Sequence, residues 1–295
     1  MNLQDLKYFA AVAEFRHFGR AAEACNISQP TLSGQIRKLE DELGVSLLER
    51  SNKRVDVTPV GRQILEHARR VLTEASQIES VARAARDPLV GALRLGVIPT
   101  LAPYLLPLIL EPLRKTYPGL VIELWEDQTR LLVDGLRSHK LDAAVVASAV
   151  GSPEFAETAL FAEPLVAVLP NGHALSRQKI IDETSLAEDL LVMADGHCLA
   201  NHSLAACGAK TGLQGAMQAA TLETLVNLVA AGYGTTLIPA LAAPGIANRG
   251  VELRPLRQKS TRIIRLACRP GFPRPQALRA IEKVIRKAVP EAWLE

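Results

Sequence analysis

The chain has 295 residues, 48% of them hydrophobic and 22% charged, with a formal net charge of +3. Its length suggests about two domains with room for a full core, and its composition excludes wholesale disorder. A charge this close to balance announces neither nucleic acid nor membrane; only the placement of the basic residues can do so.

No apolar run approaches the roughly 18 residues of a membrane span, and the stretch Leu225–Ala231 is followed at once by Gly232 and Gly234. The start, MNLQDLKYFAAVAEFRHF, carries acids in its first turns and has no basic segment of the kind that opens a secretory signal. These features predict a cytoplasmic protein without a membrane partner, whose cysteines stay reduced unless chemistry uses them.

Residues 1–58 read as short helices with tight turns. LQDLKYFAAVAEF places Leu3, Leu6, Phe9, Ala10 and Ala13 on one helical face, with Gly19 as the expected stop before a second short helix, RAAEAC. Asn26-Ile27-Ser28 predicts a turn with Ser28 as N-cap, and Pro30 suits the first turn of the helix that follows. That helix, QPTLSGQIRKLEDELG, buries Leu32, Ile36, Leu39 and Leu43 and stops at Gly44. Two helices joined by so short a turn make a helix-turn-helix. Leu47–Arg50 and Val55–Thr58 predict two short strands, with Ser51–Arg54 as the basic tip of a wing.

Such a unit reads DNA with the N-terminal residues of its second helix in the major groove. Gln29, Pro30, Thr31 and Ser33 stand there, where Gln pairs with adenine and the Thr methyl meets that of thymine. Arg37 and Lys38 suit phosphate or guanine, and Lys53 and Arg54 suit the backbone or minor groove. Each residue alone is more simply a solvated polar one. Together on one exposed face, they predict DNA contact.

From Thr58-Pro59 a long helix is expected through Arg86, and 59–87 is assigned to a linker. Ile64, Ala68, Val71, Ala75, Ile78 and Ala82 recur in steps of four and three, a seam that needs a partner and predicts dimerisation. Two heads on one dimer would suit a pseudo-palindromic site. Asp87–Gly91 is then expected to act as a hinge.

The remainder, 88–295, alternates strands and helices as an α/β domain. Strands are expected at 93–99, 121–126, 141–147, 164–169, 189–194, 234–239 and 262–268. Ligands in such folds sit outside the carboxyl ends of strands, so Pro99-Thr100, Gln128-Thr129 and Ala194–Cys198 are expected around one cleft.

The stretch DGHCLANHSLAAC holds two of the four cysteines, Cys198 and Cys207, nine positions apart. Asp195 is expected to cap a helix starting near Gly196, and backbone N–H groups in a first turn favour thiolate over thiol. A thiolate attacks peroxide to give sulfenic acid, which condenses with a second thiol. If the segment is helical, nine residues separate the two Cα atoms by roughly 13 Å, whereas a disulfide needs about 4.4–6.8 Å. Oxidation would then require the helix to unwind. From the residues alone three readings stay open: core filling, a zinc site from His197, Cys198, His202 and Cys207 that lacks any CxxC or HxxxH pairing, and a redox switch. Cys25 and Cys268 read as core.

Helix-turn-helix, wing, linker helix and α/β region together resemble the LysR-type transcriptional regulators. Within that family, HFGRAAEACNISQPTLSGQIRKLEDELGVSLLER, GVIPTLAPYLLP, DGHCLANHSLAAC, TLETLVNLVAAG and LIPAL resemble the OxyR-type peroxide sensors. The resemblance implies a winged helix-turn-helix DNA-binding domain, a linker helix and an effector domain of periplasmic-binding-protein type with two subdomains. It implies a tetramer built of dimers on DNA, RNA polymerase as a partner, an activator of the oxidative-stress response, association with the nucleoid, and no cofactor or metal. It further implies that hydrogen peroxide oxidises Cys198, the peroxidatic thiol, and that Cys207 resolves it as a Cys198–Cys207 disulfide. Thr100, Thr129, His197 and Arg262 match polar residues that the family gathers around that thiol. Taken singly, Thr100 is more simply a helix cap and Arg262 a solvated strand edge. Asp56, in a wing reading NKRVDVT, puts an acid near the DNA.

Two other functions stand beside this one. A regulator that senses a small metabolite would keep the head and leave the cysteines inert. A thiol peroxidase would leave the helix-turn-helix and wing unexplained.

Overall fold

The computed structural model describes residues 1–50, 55–210 and 219–294. The chain forms two compact units, Met1–Ala82 and Arg83–Glu295. Among the described residues no helix is long and apolar enough to cross a membrane.

In the first unit, α1 (Leu3–Phe15) is held by a capping box: Asn2 Oδ1 accepts from the Gln4 and Asp5 N–H groups, and Asp5 accepts from the Asn2 N–H. The buried face is Asp5, Leu6, Phe9 and Val12; Leu3 is exposed, and Ala10 and Ala13 are half-buried, so the expected face is turned by part of a turn. Gly19 does not end this helix. Arg16 does, in a left-handed conformation with φ 48°, and His17 Nδ1 caps α2 (Phe18–Ala24), which contains Gly19. Cys25 is the half-buried C-cap of α2 rather than core.

The helix α3 (Gln29–Leu43) starts at Ser28, whose hydroxyl accepts from the Thr31 N–H, and ends at Gly44 with φ 68°. Leu32, Ile36 and Leu39 are buried, and Leu43 is half-buried against them. The wing strands β1 (Leu48–Arg50) and β2 (Val55–Val57) pair antiparallel, and Glu40 accepts from the Leu47 and Leu48 N–H groups to fasten the wing to α3. Thr58 caps α4 (Pro59–Arg86), accepting from the Gly61 N–H. A Cβ at Gly61 would lie 2.3 Å from the Leu47 carbonyl oxygen, so only glycine lets the helix start this close to the wing. Leu65 and Ala68 of α4 are buried, whereas Val71 is 46% and Ile78 73% exposed.

The second unit contains β3 (Gly91–Val97), α5 (Ala102–Thr116), β4 (Leu120–Glu126), α6 (Thr129–Arg137), β5 (Ala143–Val146) and β6 (Ala156–Pro170). After two 3-10 turns, Ala174–Arg177 and Glu183–Leu186, come α7 (Cys198–Cys207), α8 (Leu222–Ala230), β7 (Thr236–Pro239) and α9 (Ala243–Ile246). The strands β8 (Val251–Pro255) and β9 (Thr261–Cys268) and the helix α10 (Pro275–Ala288) complete it. The sheet runs β4-β3-β5-β9-β6-β7, with β8 also on β6. Strand β3 is parallel to β4 and β5, and the β9 and β6 pairings are antiparallel. The long strand β6 pairs with β9 over its first part and with β7 and β8 over its last. Two cores follow, one around Leu93, Leu95 and Ile281, the other around Leu165, Val226 and Ile238. The unit therefore has two subdomains, each with its own core.

Four expectations need correction. Residues 189–194 form no strand, only isolated bridges from Leu190 to Thr235 and from Met193 to Ala219, because the two bridges go to different segments and no ladder forms. Strand β6 begins at Ala156 rather than 164, and β8 lies where no strand was expected. The expected hinge at 87–91 is fastened: the buried Arg274 guanidinium donates to the carbonyls of Pro88, Val90 and Ala92 at 3.1, 2.9 and 2.6 Å.

Candidate sensor site and nucleic-acid interface

Cys198 is the first residue of α7, and Cys207 the last. Among the described residues no side chain caps this helix. Asp195 stands outside it, His197 holds the N-cap position without a side-chain hydrogen bond, and Gly208 closes it in a left-handed conformation. The approach is tight: Gly196 has φ 92°, and a Cβ there would lie 2.3 Å from Gln128 Oε1. As a regular α-helix, α7 separates the Cα atoms of the two cysteines by roughly 13 Å.

Their surroundings differ. Cys198 is half-buried and lines a cleft of about 480 Å³ with Thr129, Arg130, Ser148, His197 and Asn201. Cys207 is 1% exposed, and burial, with the nearby Glu183 carboxylate, pushes its thiol up to about 11. Burial also lowers His197, favouring the neutral imidazole. Thr129 begins α6, and its hydroxyl is buried with no hydrogen-bond partner among the described residues. Such an orphan costs about 1–3 kcal/mol unless something meets it.

Thr100 and Arg262 do not line the cleft. Both are buried, at 2% and 1% exposure, and they bind each other. Arg262 Nη1 donates to Thr100 Oγ1 at 2.8 Å, and Nη2 to the Thr100 carbonyl at 3.1 Å. Thr100 therefore caps no helix, since Leu101 holds that position before α5, and Arg262 is no solvated edge. The residue that makes its burial tolerable is Glu163, which accepts from Arg262 Nε at 2.9 Å, pairs with Nη2 at 2.8 Å, and also accepts from the Leu241 N–H. Sequence reasoning missed Glu163, although a lone acid inside the apolar run ALFAEPLVAVL signals a buried ion pair. It also passed over His202 as anything but a zinc ligand. His202 lies one turn beyond Cys198, its imidazole is lowered by burial and by the Arg262 charge, and its Nδ1 has no partner among the described residues. No three His, Cys, Asp or Glu side chains among the described residues are grouped to hold a metal. Cys268 packs against the first core.

In the head, Gln29, Pro30 and Thr31 are exposed at the start of α3, Arg37 and Lys38 are exposed further along, and Ser33 is half-buried. The Thr31 and Ser28 hydroxyls lie 2.8 Å apart, which fixes the Thr31 side chain. Asp56 pairs with Arg16 at 3.9 Å. Lys53 and Arg54 lie outside the described residues.

Comparison with known proteins gives consistent results. Residues 3–62 match the bacterial regulatory helix-turn-helix protein family, lysR type, and residues 86–290 match the LysR substrate binding domain. The chain is 43% identical over 292 residues to the DNA-binding transcriptional dual regulator OxyR of Escherichia coli K12, covering 97% of this chain and 95% of that protein. It is 40% identical over 294 residues to a probable hydrogen peroxide-inducible genes activator of Streptomyces viridosporus, covering 98% and 94%. Among solved structures it resembles a full-length OxyR cysteine variant from Pseudomonas aeruginosa, with TM-score 0.74, 36% identity, and coverage of 97% and 95%. It also resembles a hydrogen-peroxide-bound OxyR cysteine-to-serine variant from Corynebacterium glutamicum, with TM-score 0.68, 33% identity, and coverage of 97% and 92%.

Proposed function

The chain belongs to the LysR family of bacterial helix-turn-helix regulators, and from that premise we infer that it is a DNA-binding transcriptional regulator that senses hydrogen peroxide through Cys198 and Cys207. The observation that carries the cysteine assignment is their unequal placement on one uncapped helix: one thiol opens on a polar cleft, and the other is buried at the far end.

The chemistry proceeds in two balanced steps. The Cys198 thiolate attacks one peroxide oxygen, the O–O bond breaks, and hydroxide leaves and is protonated to water. Neutral His197 is suited to accept a proton on the way, and the orphaned Thr129 hydroxyl to orient the peroxide. Thr100 accepts from Arg262 and so keeps its own hydrogen free to donate, which makes Arg262 the residue that orders Thr100. The Cys207 thiol then displaces water from the sulfenic acid to form the disulfide. A span of roughly 13 Å does not shrink to disulfide length with α7 intact, so oxidation melts the helix, and the refolded segment carries the signal.

The exposed face of α3, from Gln29 to Lys38, is assigned to the major groove, with Lys53 and Arg54 on the backbone. The seam of α4 serves dimerisation; exposed Val71 and Ile78 support this, while buried Ala68 belongs to the head instead. Two dimers as a tetramer on a pseudo-palindromic promoter, RNA polymerase as the partner, and a place in the cytoplasm at the nucleoid complete the proposal. The test is to titrate peroxide into the reduced protein, map thiols by mass spectrometry and footprint promoter DNA. A 198–207 disulfide with an altered footprint is expected; no such bond and an unchanged footprint would contradict the proposal. Arg37→Ala is expected to weaken promoter binding and to reduce the salt slope by about 1.

A further inference from the structure

Glu183 is fully buried, and neither step above uses it. It opens the 3-10 turn Glu183–Leu186, against which α7 packs. Just before it, Ile181 is zipped to the segment that leads into β9: its N–H donates to the Pro255 carbonyl at 3.0 Å, and its carbonyl accepts from the Arg257 N–H at 2.8 Å. The Glu183 carboxylate completes the zipper. Its two oxygens accept from the Gln258 N–H at 2.9 and 3.2 Å, and one also accepts from the Ser260 hydroxyl at 3.2 Å.

Between those donors sits Lys259, with φ 51°, a left-handed conformation that a residue bearing a Cβ resists. The carboxylate thus holds closed a turn that would otherwise relax. Two residues beyond Ser260 is Arg262, which organises Thr100 and Glu163. After burial, the Glu183 charge is the second cause that keeps the Cys207 thiol protonated. One buried carboxylate is therefore tied to the strand that carries Arg262 and stands near the resolving thiol.

We propose that Glu183 is a positioning residue for disulfide formation: by clamping the 258–260 turn to the 3-10 turn against which α7 packs, it sets how long Cys198 persists as sulfenic acid. The inference rests on the peroxide reading above. In the step it governs, the Cys207 sulfur attacks the Cys198 sulfur, the S–S bond forms, and the S–O bond breaks. The departing hydroxide takes up the proton that Cys207 gave up. Hydrogen peroxide has already removed the two electrons, so no further oxidant is needed. A charge near Cys207 disfavours the thiolate that attacks, and the clamped 3-10 turn fixes the surface on which α7 packs.

The experiment uses reduced full-length protein mixed with hydrogen peroxide. Sulfenic acid at Cys198 is trapped with dimedone at timed intervals, and the 198–207 disulfide is quantified by mass spectrometry. Glu183→Gln keeps the size of the side chain and an acceptor oxygen but removes the charge. It is expected to leave the bimolecular peroxide step within about twofold and to speed resolution by about twofold or more, because it removes a charge that disfavours the Cys207 thiolate. Ser260→Ala, which removes one donor to the clamp, is expected to shift resolution the same way by about twofold. Unchanged resolution in Glu183→Gln overturns the clamp and leaves the peroxide reading standing. So does an equal change in both steps accompanied by a lowered unfolding midpoint in both variants, the mark of a merely structural role. Absence of Cys198 oxidation in the unsubstituted protein overturns the peroxide reading and the clamp with it.

Discussion

The helices α3 and α7 both follow a short turn and both end at a left-handed glycine, Gly44 and Gly208, yet they are secured differently. Ser28 caps α3, Pro30 sits in its first turn, and Leu32, Ile36 and Leu39 form one buried row below a polar face. Among the described residues no side-chain cap holds α7, Asn201-His202-Ser203 in its middle have modest helix propensity, and its buried residues include Ser203 as well as Leu199 and Cys207. A helix that presents side chains to a groove gains from being fixed. A helix that has to come apart when a covalent bond forms is better held by packing alone.

The sharpest break in this comparison is Cys198→Ser, which is expected to abolish the peroxide response completely, with neither sulfenic acid nor disulfide by mass spectrometry and no change of footprint. Cys207→Ser is expected to retain sulfenic acid at Cys198 while losing the disulfide. Next in size, Glu163→Ala leaves Arg262 buried and unpaired beside α7 and is expected to cost about 3–5 kcal/mol in urea unfolding of the effector unit. Ser28→Ala removes the cap of α3 and is expected to cost the head about 1 kcal/mol, with the rate of disulfide formation unchanged. The smallest effect is expected from exposed Asn201→Ala, which raises helix propensity in α7 by about 0.5 kcal/mol and should slow disulfide formation about twofold.

The head was largely legible because its signals are local. Ser28, Gly44 and the spacing of Leu32, Ile36 and Leu39 each specify their neighbours' conformation within a few residues. Where the reading slipped, at Gly19, the stop is made by Arg16 in an unfavoured conformation, followed by a histidine cap, and neither carries a composition signal. In the effector unit, DLLVMA is apolar enough for a strand but finds only single bridges, while the modest VELRP becomes β8 because β6 extends far enough to pair with it. The site divides the same way. DGHC marks Cys198 and His197 within a short stretch, whereas the Thr100–Arg262–Glu163 cluster joins residues 162 and 99 positions apart. Only the tertiary fold turns an apparent solvated arginine into a buried hub.

The central claim is that oxidation unwinds α7 and spares α3. Hydrogen exchange followed by mass spectrometry, on the full-length protein before and after stoichiometric peroxide, tests it most directly. The account predicts that the backbone amides of residues 199–207 lose protection in the oxidised form while those of 32–43 keep theirs. A disulfide between Cys198 and Cys207 with the protection of α7 intact would contradict it.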